Sequence, residues 1–312
     1  MLRFATLVHR PRKLYRMTGL TLDQFQTLTA RLTPLWAQAE RARLSQRPRQ
    51  HAIGQGRKYK LATMADKLVC VLAFYRFALT DELLGWLVGL DASTVCRLQQ
   101  RLEPLLEQAA DPTLGLSLRR RLPPGAKKIG TVEELLRVCP EFAEIMTDAT
   151  EQPRRRPPRR TQRRWYSGKR KRHTIKTQIT VNKAGRILLV SDSVPGRVHD
   201  YALFTREGTA EKVPRGAQHD LDRGYDGAPT DFPEHHVIVP VKKRRNHRRL
   251  TRVERAFNRL QARRRIIVEH VLCRMKKYQV LAQVYRHRLT DYNRRFRNIA
   301  ALVNFRLAAV TT

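Results

Sequence analysis

Acidic residues are scarce in this chain of 312 residues, in which 27 Asp and Glu stand against 63 Lys and Arg and give a formal net charge of +36. An ordinary soluble enzyme needs no such excess, so the composition predicts a polyanionic partner or a membrane surface. A run of about 18 apolar residues, which a membrane-spanning helix would need, is missing. We therefore expect no membrane association and take nucleic acid as the polyanion.

Cysteine is also rare, and its four positions, Cys70, Cys96, Cys139 and Cys273, form no C-x-x-C pair. This spacing disfavours both a zinc site and a disulfide framework. The first residues become basic too early for a secretory signal. Together these absences predict a cytoplasmic protein, and a nucleic-acid partner would make it nucleoid-associated.

Residues 1–112 are predicted to form a helical domain, because their apolar residues recur at helical spacing. The predicted helices cover residues 20–44, 61–77, 83–88 and 92–107, and a polar linker covers residues 45–58. Thr21 is the predicted cap of the first of these helices.

The two helices around Gly89 are typical of a helix-turn-helix, since a short turn containing Gly leads into a helix that opens with Ser and Thr. In that interpretation the DNA-facing side chains are Ser93, Thr94, Arg97 and Gln100. A plain helical hairpin is the alternative, and the basic charge of the whole chain favours the DNA-binding version.

Residues 113–140 are predicted to be a linker with one short helix, and residues 141–312 an α/β domain. The strand pattern predicts a mixed sheet with helices packed on it. Predicted strands cover residues 141–148, 175–181, 186–191, 217–221 and 237–241, a hairpin turn covers 182–185, and long helices cover 251–278 and 291–309. Asp200 is the predicted cap of a further helix.

Residues 152–172 are dominated by Arg and Lys, with Trp165 and Tyr166 among them. Basic residues with embedded aromatic rings suit a nucleic-acid backbone and an unstacked base. A disordered charged loop is the alternative. The predicted DNA contacts of this part of the chain are Arg164, Trp165, Tyr166, Lys169, Arg170, Lys171, Arg172 and Lys176.

Three carboxylates are candidates for metal-dependent phosphodiester chemistry, which needs a small cluster of acids inside a basic surface. Asp148 and Asp222 each follow a predicted strand, and Glu269 lies in a long helix. Glu269 and Lys276 follow Arg265 by four and eleven positions, which places all three on one face of the helix. A surface ion-pair ridge is the alternative meaning of this spacing.

Five ordered motifs resemble those of the DDE transposases of bacterial insertion sequences, in the branch similar to harbinger-type endonucleases. Asp148–Glu151 resembles the D-G-T-E of the family, and Tyr166–Lys176 resembles its Y-S-G-K-K-K-x-H-T-x-K segment. Gly196–Asp200 resembles G-x-x-H-D, and Asp222–Tyr225 resembles D-x-G-Y. The segment from 265 to 276 matches R-x3-E-x6-K, although Ala262 stands where the family usually has Tyr.

The resemblance implies an RNase H-like core in which Asp148, Asp222 and Glu269 are the catalytic residues and metal ligands. It implies two Mg²⁺ ions, with Mn²⁺ as a substitute and Asp148 bridging both, and it assigns Arg265 and Lys276 to phosphate contacts. DNA cleavage at the ends of a mobile element and attack by the freed 3′-hydroxyl would follow.

The partner implied is double-stranded DNA, bound by a homodimer because two paired ends need two active sites. The sequence leaves the roles of His199 and Asp200 open. It also leaves two alternative functions open, namely an inactive transposase-derived DNA-binding protein and a basic RNA-binding protein. Asp192, Asp220 and Asp226 are competing acids that rank lower by motif position. The histidines His235, His236 and His270 lack companion cysteines and are read as ordinary polar residues.

Overall fold

The computed structural model describes residues 1–46, 59–114, 132–213, 217–243 and 249–308, and these form two compact units. The first unit is helical and combines the N-terminal part, up to Pro112, with Lys276–Gln283 and the residues from Arg294 onward. The second unit combines Thr113–Met275 with Val284–Asn293. Most of the linker predicted over 45–58, and residues 115–131 of the linker predicted over 113–140, lie outside the described residues. The domain limits inferred from the sequence stay a prediction.

The helices of the N-terminal part are α1 (Phe4–Leu7), α2 (Pro11–Thr18), α3 (Leu22–Ser45), α4 (Met64–Phe77), α5 (Asp81–Val88) and α6 (Ala92–Ala110). The last four form where the apolar spacing predicted helices, whereas no helix was predicted over α1 and α2. Thr21 and Gln24 form a reciprocal capping box at the start of α3, as predicted for Thr21. Helix α4 begins three residues later than predicted, because the Thr63 hydroxyl accepts a hydrogen bond from the Asp66 amide and so caps it.

The remaining elements build a mixed sheet with flanking helices, which confirms the predicted α/β class. The strands are β1 (Glu144–Pro153), β2 (Tyr166–Ser167), β3 (Arg172–Asn182), β4 (Ile187–Val190), β5 (Val194–Pro195), β6 (Gln218–Asp220) and β7 (Val237–Ile238). The helices are α7 (Val132–Val138), α8 (Gln162–Trp165), α9 (Asp200–Arg206), α10 (Ala228–Asp231), α11 (Arg252–Lys276) and α12 (Tyr292–Ala308). Within the described residues, no helix is long and apolar enough to cross a membrane.

Strand β3 is the centre of the sheet, whose main order is β2-β3-β1-β6-β7. It runs antiparallel to β1 over nine residue pairs and also pairs with β4 and β5. Strand β6 is parallel to β1 and to β7. The hairpin from β3 to β4 is confirmed, with Gly185 at a positive φ of 77° in its turn.

Two strand predictions are wrong. Strand β5 lies where no strand was predicted, and its two residues extend the edge of the sheet beside Ile175 and Lys176. The strand predicted over 237–241 ends at Ile238, because Pro240 has no amide hydrogen to donate and the Val241 backbone bonds instead to the side chain of Asn258.

A buried ion pair lies inside the helical unit. Glu103 of α6 is fully buried, and its carboxylate accepts hydrogen bonds from Arg295 at 2.9 Å and Arg294 at 3.3 Å. Burial raises the pKa of Glu103, while the two guanidinium groups lower it. One helical turn on, Glu107 makes a more exposed pair with Arg297 at 2.7 Å.

We predict that Glu103→Gln lowers the free energy of unfolding by about 3–5 kcal/mol, because it leaves the buried Arg295 charge without its carboxylate. The matched change Glu107→Gln should cost no more than about 1 kcal/mol, since its pair is partly solvated. Urea unfolding followed by circular dichroism compares the two. Equal losses would contradict this account of the helical unit.

Candidate active site

Asp148 lies in the middle of β1, at the point where β1 loses one of its two neighbours. The parallel partner β6 pairs with β1 only over Glu144–Met146 and then ends at Asp220. Asp222 follows two residues later, so both carboxylates stand where two parallel strands separate. Crevices of this kind are the usual ligand-binding places of open α/β sheets.

The prediction that β1 ends at Asp148 is wrong. Pairing with β3 continues from Asp148, opposite Ile179, to Pro153, opposite Thr174. Thr150 and Gln152, which lie in this continuation of β1, are buried within the unit.

The Asp148 carboxyl is coupled electrostatically to three charged neighbours. Its pKa is raised to about 6, chiefly by burial and to a smaller extent by the nearby carboxylates of Asp222 and Asp200. The guanidinium of Arg265 and the amide of Ala149, which donates to Asp148 Oδ1 at 2.8 Å, lower it. The structure therefore places Asp222, Asp200 and Arg265 near Asp148.

Asp222 is held from two sides. Its Oδ1 accepts hydrogen bonds from the Arg223 amide at 2.7 Å and from Arg265 Nη1 of α11 at 2.9 Å. The following turn is anchored by Tyr225, whose buried hydroxyl accepts a hydrogen bond from Gln178 of β3 at 3.2 Å. This packing fixes the carboxylate at the end of β6.

Glu269 is exposed one helical turn after Arg265, and Lys276 ends the same helix. Among the described residues Arg265 pairs with Asp222 and has no ion pair with Glu269, so the ridge of paired charges is not what the structure contains. Across the same residues, no three His, Cys, Asp or Glu side chains are grouped closely enough to hold a metal ion. The structure thus brings Asp148, Asp222 and Arg265 together and leaves Glu269 outside that group.

Asp200 is a site residue whose role the sequence left open. The predicted cap role is wrong, because the cap of α9 is His199, whose Nδ1 accepts a hydrogen bond from the Tyr201 amide. Asp200 instead forms an ion pair with Lys176 at 2.6 Å. It also lies against the turn after Asp222, since a Cβ added at Gly224 would be 3.6 Å from Asp200 Oδ2.

Lys176, predicted as a DNA contact, is buried at 5% exposure. Its ammonium group lies 3.5 Å from Glu151 and donates to the Val198 carbonyl at 2.6 Å, besides pairing with Asp200. In this structure its positive charge faces the carboxylates of Glu151 and Asp200. We therefore assign Lys176 to the support of these carboxylates rather than to contact with a DNA phosphate. No local signal in the sequence shows this, because Glu151 lies opposite Lys176 only through the β1–β3 register.

The competing acids have partners elsewhere. Asp220 is buried and accepts hydrogen bonds from Gln218, Asp226 pairs with Lys242 at 2.9 Å, and Asp192 accepts from Asn293 at 3.1 Å. The sites of these acids are therefore distinct from the group around Arg265.

The basic segment is folded, which makes the alternative of a disordered loop wrong. Arg154 lies 4.2 Å from the ring centre of Trp165, so this ring is covered by a cation. The remaining predicted contacts of the segment are exposed, namely Arg164, Tyr166, Lys169, Arg170, Lys171 and Arg172.

On α6 of the helical unit, Ser93, Arg97 and Gln100 are exposed and Thr94 is partly so. The Arg97 guanidinium donates to the Ser93 carbonyl at 3.1 Å and approaches the Ser93 and Thr94 hydroxyls. The polar face expected from the sequence is therefore present, while its contact with DNA stays a prediction.

We predict that Asp148→Asn stabilises the fold. The carboxyl pKa is about 6 in the folded protein against an ordinary value of 3.8, so the folded state binds more protons between these values. The free energy of unfolding then falls as pH rises through that interval and stays low above pH 6. At about 1.4 kcal/mol per pKa unit, the variant should gain roughly 1–3 kcal/mol at pH 8, with a smaller gain at pH 4.

Asp226→Asn is the matched control, since this exposed carboxylate has its pKa lowered by Lys242 and its loss brings no gain. Urea unfolding at pH 4 and pH 8 measures both variants. A less stable Asp148→Asn variant at pH 8 would show that burial of the Asp148 charge carries no cost.

Comparison with known proteins connects this geometry to a family. Residues 147–304 match the family model described as DDE superfamily endonuclease, a span that contains Asp148, Asp222 and Glu269. A protein of Microchaete diplosiphon described as a probable transposase for insertion sequence element IS702 is 31% identical over 255 residues, covering 81% of this chain and 84% of that protein. No solved structure gives a significant match. The chain therefore belongs to the DDE transposases of insertion sequences, within the DDE superfamily endonucleases.

Proposed function

We propose that this protein cleaves the ends of its mobile element and joins them to target DNA through the freed 3′-hydroxyl. The observation that carries the proposal is the group of Asp148 and Asp222 at the divergence of β1 and β6, inside a chain of net charge +36. Family membership implies a DNA substrate, and the excess of Lys and Arg matches a polyanion.

Members of the DDE superfamily generally use divalent metals, and the residues of this site fit one. Aspartate oxygens are the hard ligands that Mg²⁺ prefers, and the repulsion between Asp148 and Asp222 is now offset by the cation of Arg265. We propose Asp148, Asp222 and Glu269 as the holders of two Mg²⁺ ions, with Mn²⁺ as a substitute. Bound Mg²⁺ would neutralise phosphoryl charge and make the attacking oxygen more acidic.

The side chains of the site have separate roles in this proposal. Asp148 and Asp222 bind the divalent cations. The Arg265 guanidinium, which already lies beside Asp222, can then bind a DNA phosphate, as Lys276 would. Lys176 holds Asp200 beside the turn of Gly224, which keeps the third aspartate close without leaving it unpaired. For Glu269, the proposal requires α11 to bring it toward Asp222 when DNA binds.

We propose further that the second unit is an RNase H-like core and that α5 and α6 act as a helix-turn-helix on the ends of the element. Ser93, Thr94, Arg97 and Gln100 would then read DNA, and the exposed cations from Arg164 to Arg172 would contact its backbone. Two ends need two active sites, so a homodimer on DNA, in the nucleoid, completes the proposal.

The position of Glu269 favours a second candidate function. An exposed Glu269 outside the group of aspartates suits a transposase-derived DNA-binding protein that no longer cuts. The two candidates bind the same DNA with similar salt dependence, and metal-dependent cleavage separates them.

We predict that the protein nicks a labelled duplex carrying the ends of its element with Mg²⁺ and not with EDTA. Asp148→Ala, Asp222→Ala and Glu269→Ala should each lower the nicking rate on the order of 100-fold or more, because each removes a proposed ligand. All three should still bind the duplex in EDTA, as measured by fluorescence anisotropy.

The matched control is Asp226→Ala, which removes an exposed carboxylate four residues from Asp222 that pairs only with Lys242 among the described residues. It should cut like the wild type. Full activity of Glu269→Ala would remove Glu269 from the site, and binding without cleavage by the wild type would favour the inactive DNA-binding protein.

A further inference from the structure

A second site lies on the basic face of the sheet unit, around the hairpin formed by β2 and the start of β3. A cavity of about 600 Å³ opens there, lined among others by Arg156, Arg163, Arg197, Tyr166 and His173. Its volume is within the range of about 300–1,000 Å³ that binding pockets for small molecules span. No carboxylate is among its lining residues, so it suits an anionic ligand.

The aromatic wall of the cavity is held by backbone pairing. Tyr166 is paired with His173 across the two strands, and their rings are 5.7 Å apart with an angle of 74° between the planes. The buried Ser167 closes the hairpin, because its hydroxyl accepts from the Arg170 amide and its carbonyl from the Lys171 amide. Tyr166 keeps 42% of its surface exposed, so its ring is available to a ligand.

Contacts also position part of the cationic wall, and its positive charges are not paired with acidic side chains among the described residues. Arg197 follows Gly196, where a Cβ would lie 1.8 Å from Thr174 Oγ1, so only Gly allows this turn to press against β3. Arg156 donates to the Gln162 side chain at 3.1 Å. Within the described part of the chain, none of Arg156, Arg163 and Arg197 has a carboxylate partner.

Arginines beside an exposed aromatic ring suit one class of ligand. Guanidinium groups bind phosphate through charge-assisted hydrogen bonds, and an exposed aromatic ring stacks on a nucleobase. A base inside a duplex is already stacked on both faces, so it has no free face to stack on the Tyr166 ring. An unpaired nucleotide offers a free base face and a phosphate together.

We propose that this cavity binds one unpaired nucleotide of the DNA substrate, with its base on Tyr166 and its phosphate on Arg156, Arg163 and Arg197. The inference rests on the proposed function in that DNA is the substrate. Arg197 precedes Asp200 by three residues, which span at most about 11 Å. The nucleotide is therefore held within a few nucleotides of the aspartate group, next to the phosphodiester that the site would cut.

The test uses duplexes that are blunt or carry one unpaired 2-aminopurine at the 3′ or the 5′ end, bound in EDTA so that metal chemistry plays no part. We predict tighter binding of an overhanging duplex by about tenfold, with quenching of the 2-aminopurine fluorescence on stacking. Tyr166→Ala should abolish both the preference and the quenching, whereas Tyr166→Phe keeps the ring and should retain them.

Arg197→Ala should reduce the preference severalfold. Its matched control is Arg206→Ala, an exposed arginine in the last turn of α9, which should weaken blunt and overhanging duplexes equally. Circular dichroism confirms that each variant is folded, and Arg197→Ala supplies the answer if Tyr166→Ala does not fold.

Equal affinity of the wild type for both duplexes, or a preference that survives Tyr166→Ala and Arg197→Ala, would overturn the inference. Duplex binding and Mg²⁺-dependent nicking would then still support the proposed function. A wild-type protein that binds no duplex at all would overturn both together, so the two failures are distinguishable.

Discussion

Repulsion between like charges is the constraint on which the site depends. Burial raises the pKa of Asp148, the nearby carboxylates of Asp222 and Asp200 raise it as well, and a cluster of this kind is stable only beside cations. Arg265 supplies one from α11, and Lys176 supplies the other from within β3. In the function that we propose, this arrangement keeps the carboxylates available to a divalent cation, at a cost in stability that the two basic side chains offset in part.

Strand β3 carries much of this arrangement. It pairs with β1, which bears Asp148, its Gln178 holds the Tyr225 hydroxyl after Asp222, and its Lys176 holds Asp200. The start of the same strand carries His173 of the nucleotide cavity. The proposed cutting site and the proposed nucleotide site are consequently built on one rigid strand, which would keep a bound phosphodiester in register with the aspartates.

The sequence predicted the elements whose signals are local. Helix α3 begins where Thr21 and Gln24 form a capping box, and the turn after β3 has Gly185 at a positive φ. The resemblance also implied the proximity of Asp148 and Asp222 that the structure contains, while their roles stay a prediction. Prediction failed where distant partners decide: β1 continues past Asp148 because β3 pairs with it, and Lys176 is buried because Glu151 and Asp200 surround it. The pairing of Arg265 with Asp222 rather than Glu269 depends on packing across 43 residues of chain, which helical spacing cannot reveal.

The central claim is that Asp148 and Asp222 form a divalent-cation site, and iron-directed cleavage of the polypeptide tests it directly. Fe²⁺ replaces Mg²⁺ on the purified protein, ascorbate and peroxide generate hydroxyl radicals at the bound ion, and mass spectrometry locates the backbone cuts. The account predicts cuts beside Asp148 and Asp222 that excess Mg²⁺ suppresses and that Asp148→Ala abolishes. Cuts confined to another place, such as the neighbourhood of His235 and His236, would contradict it.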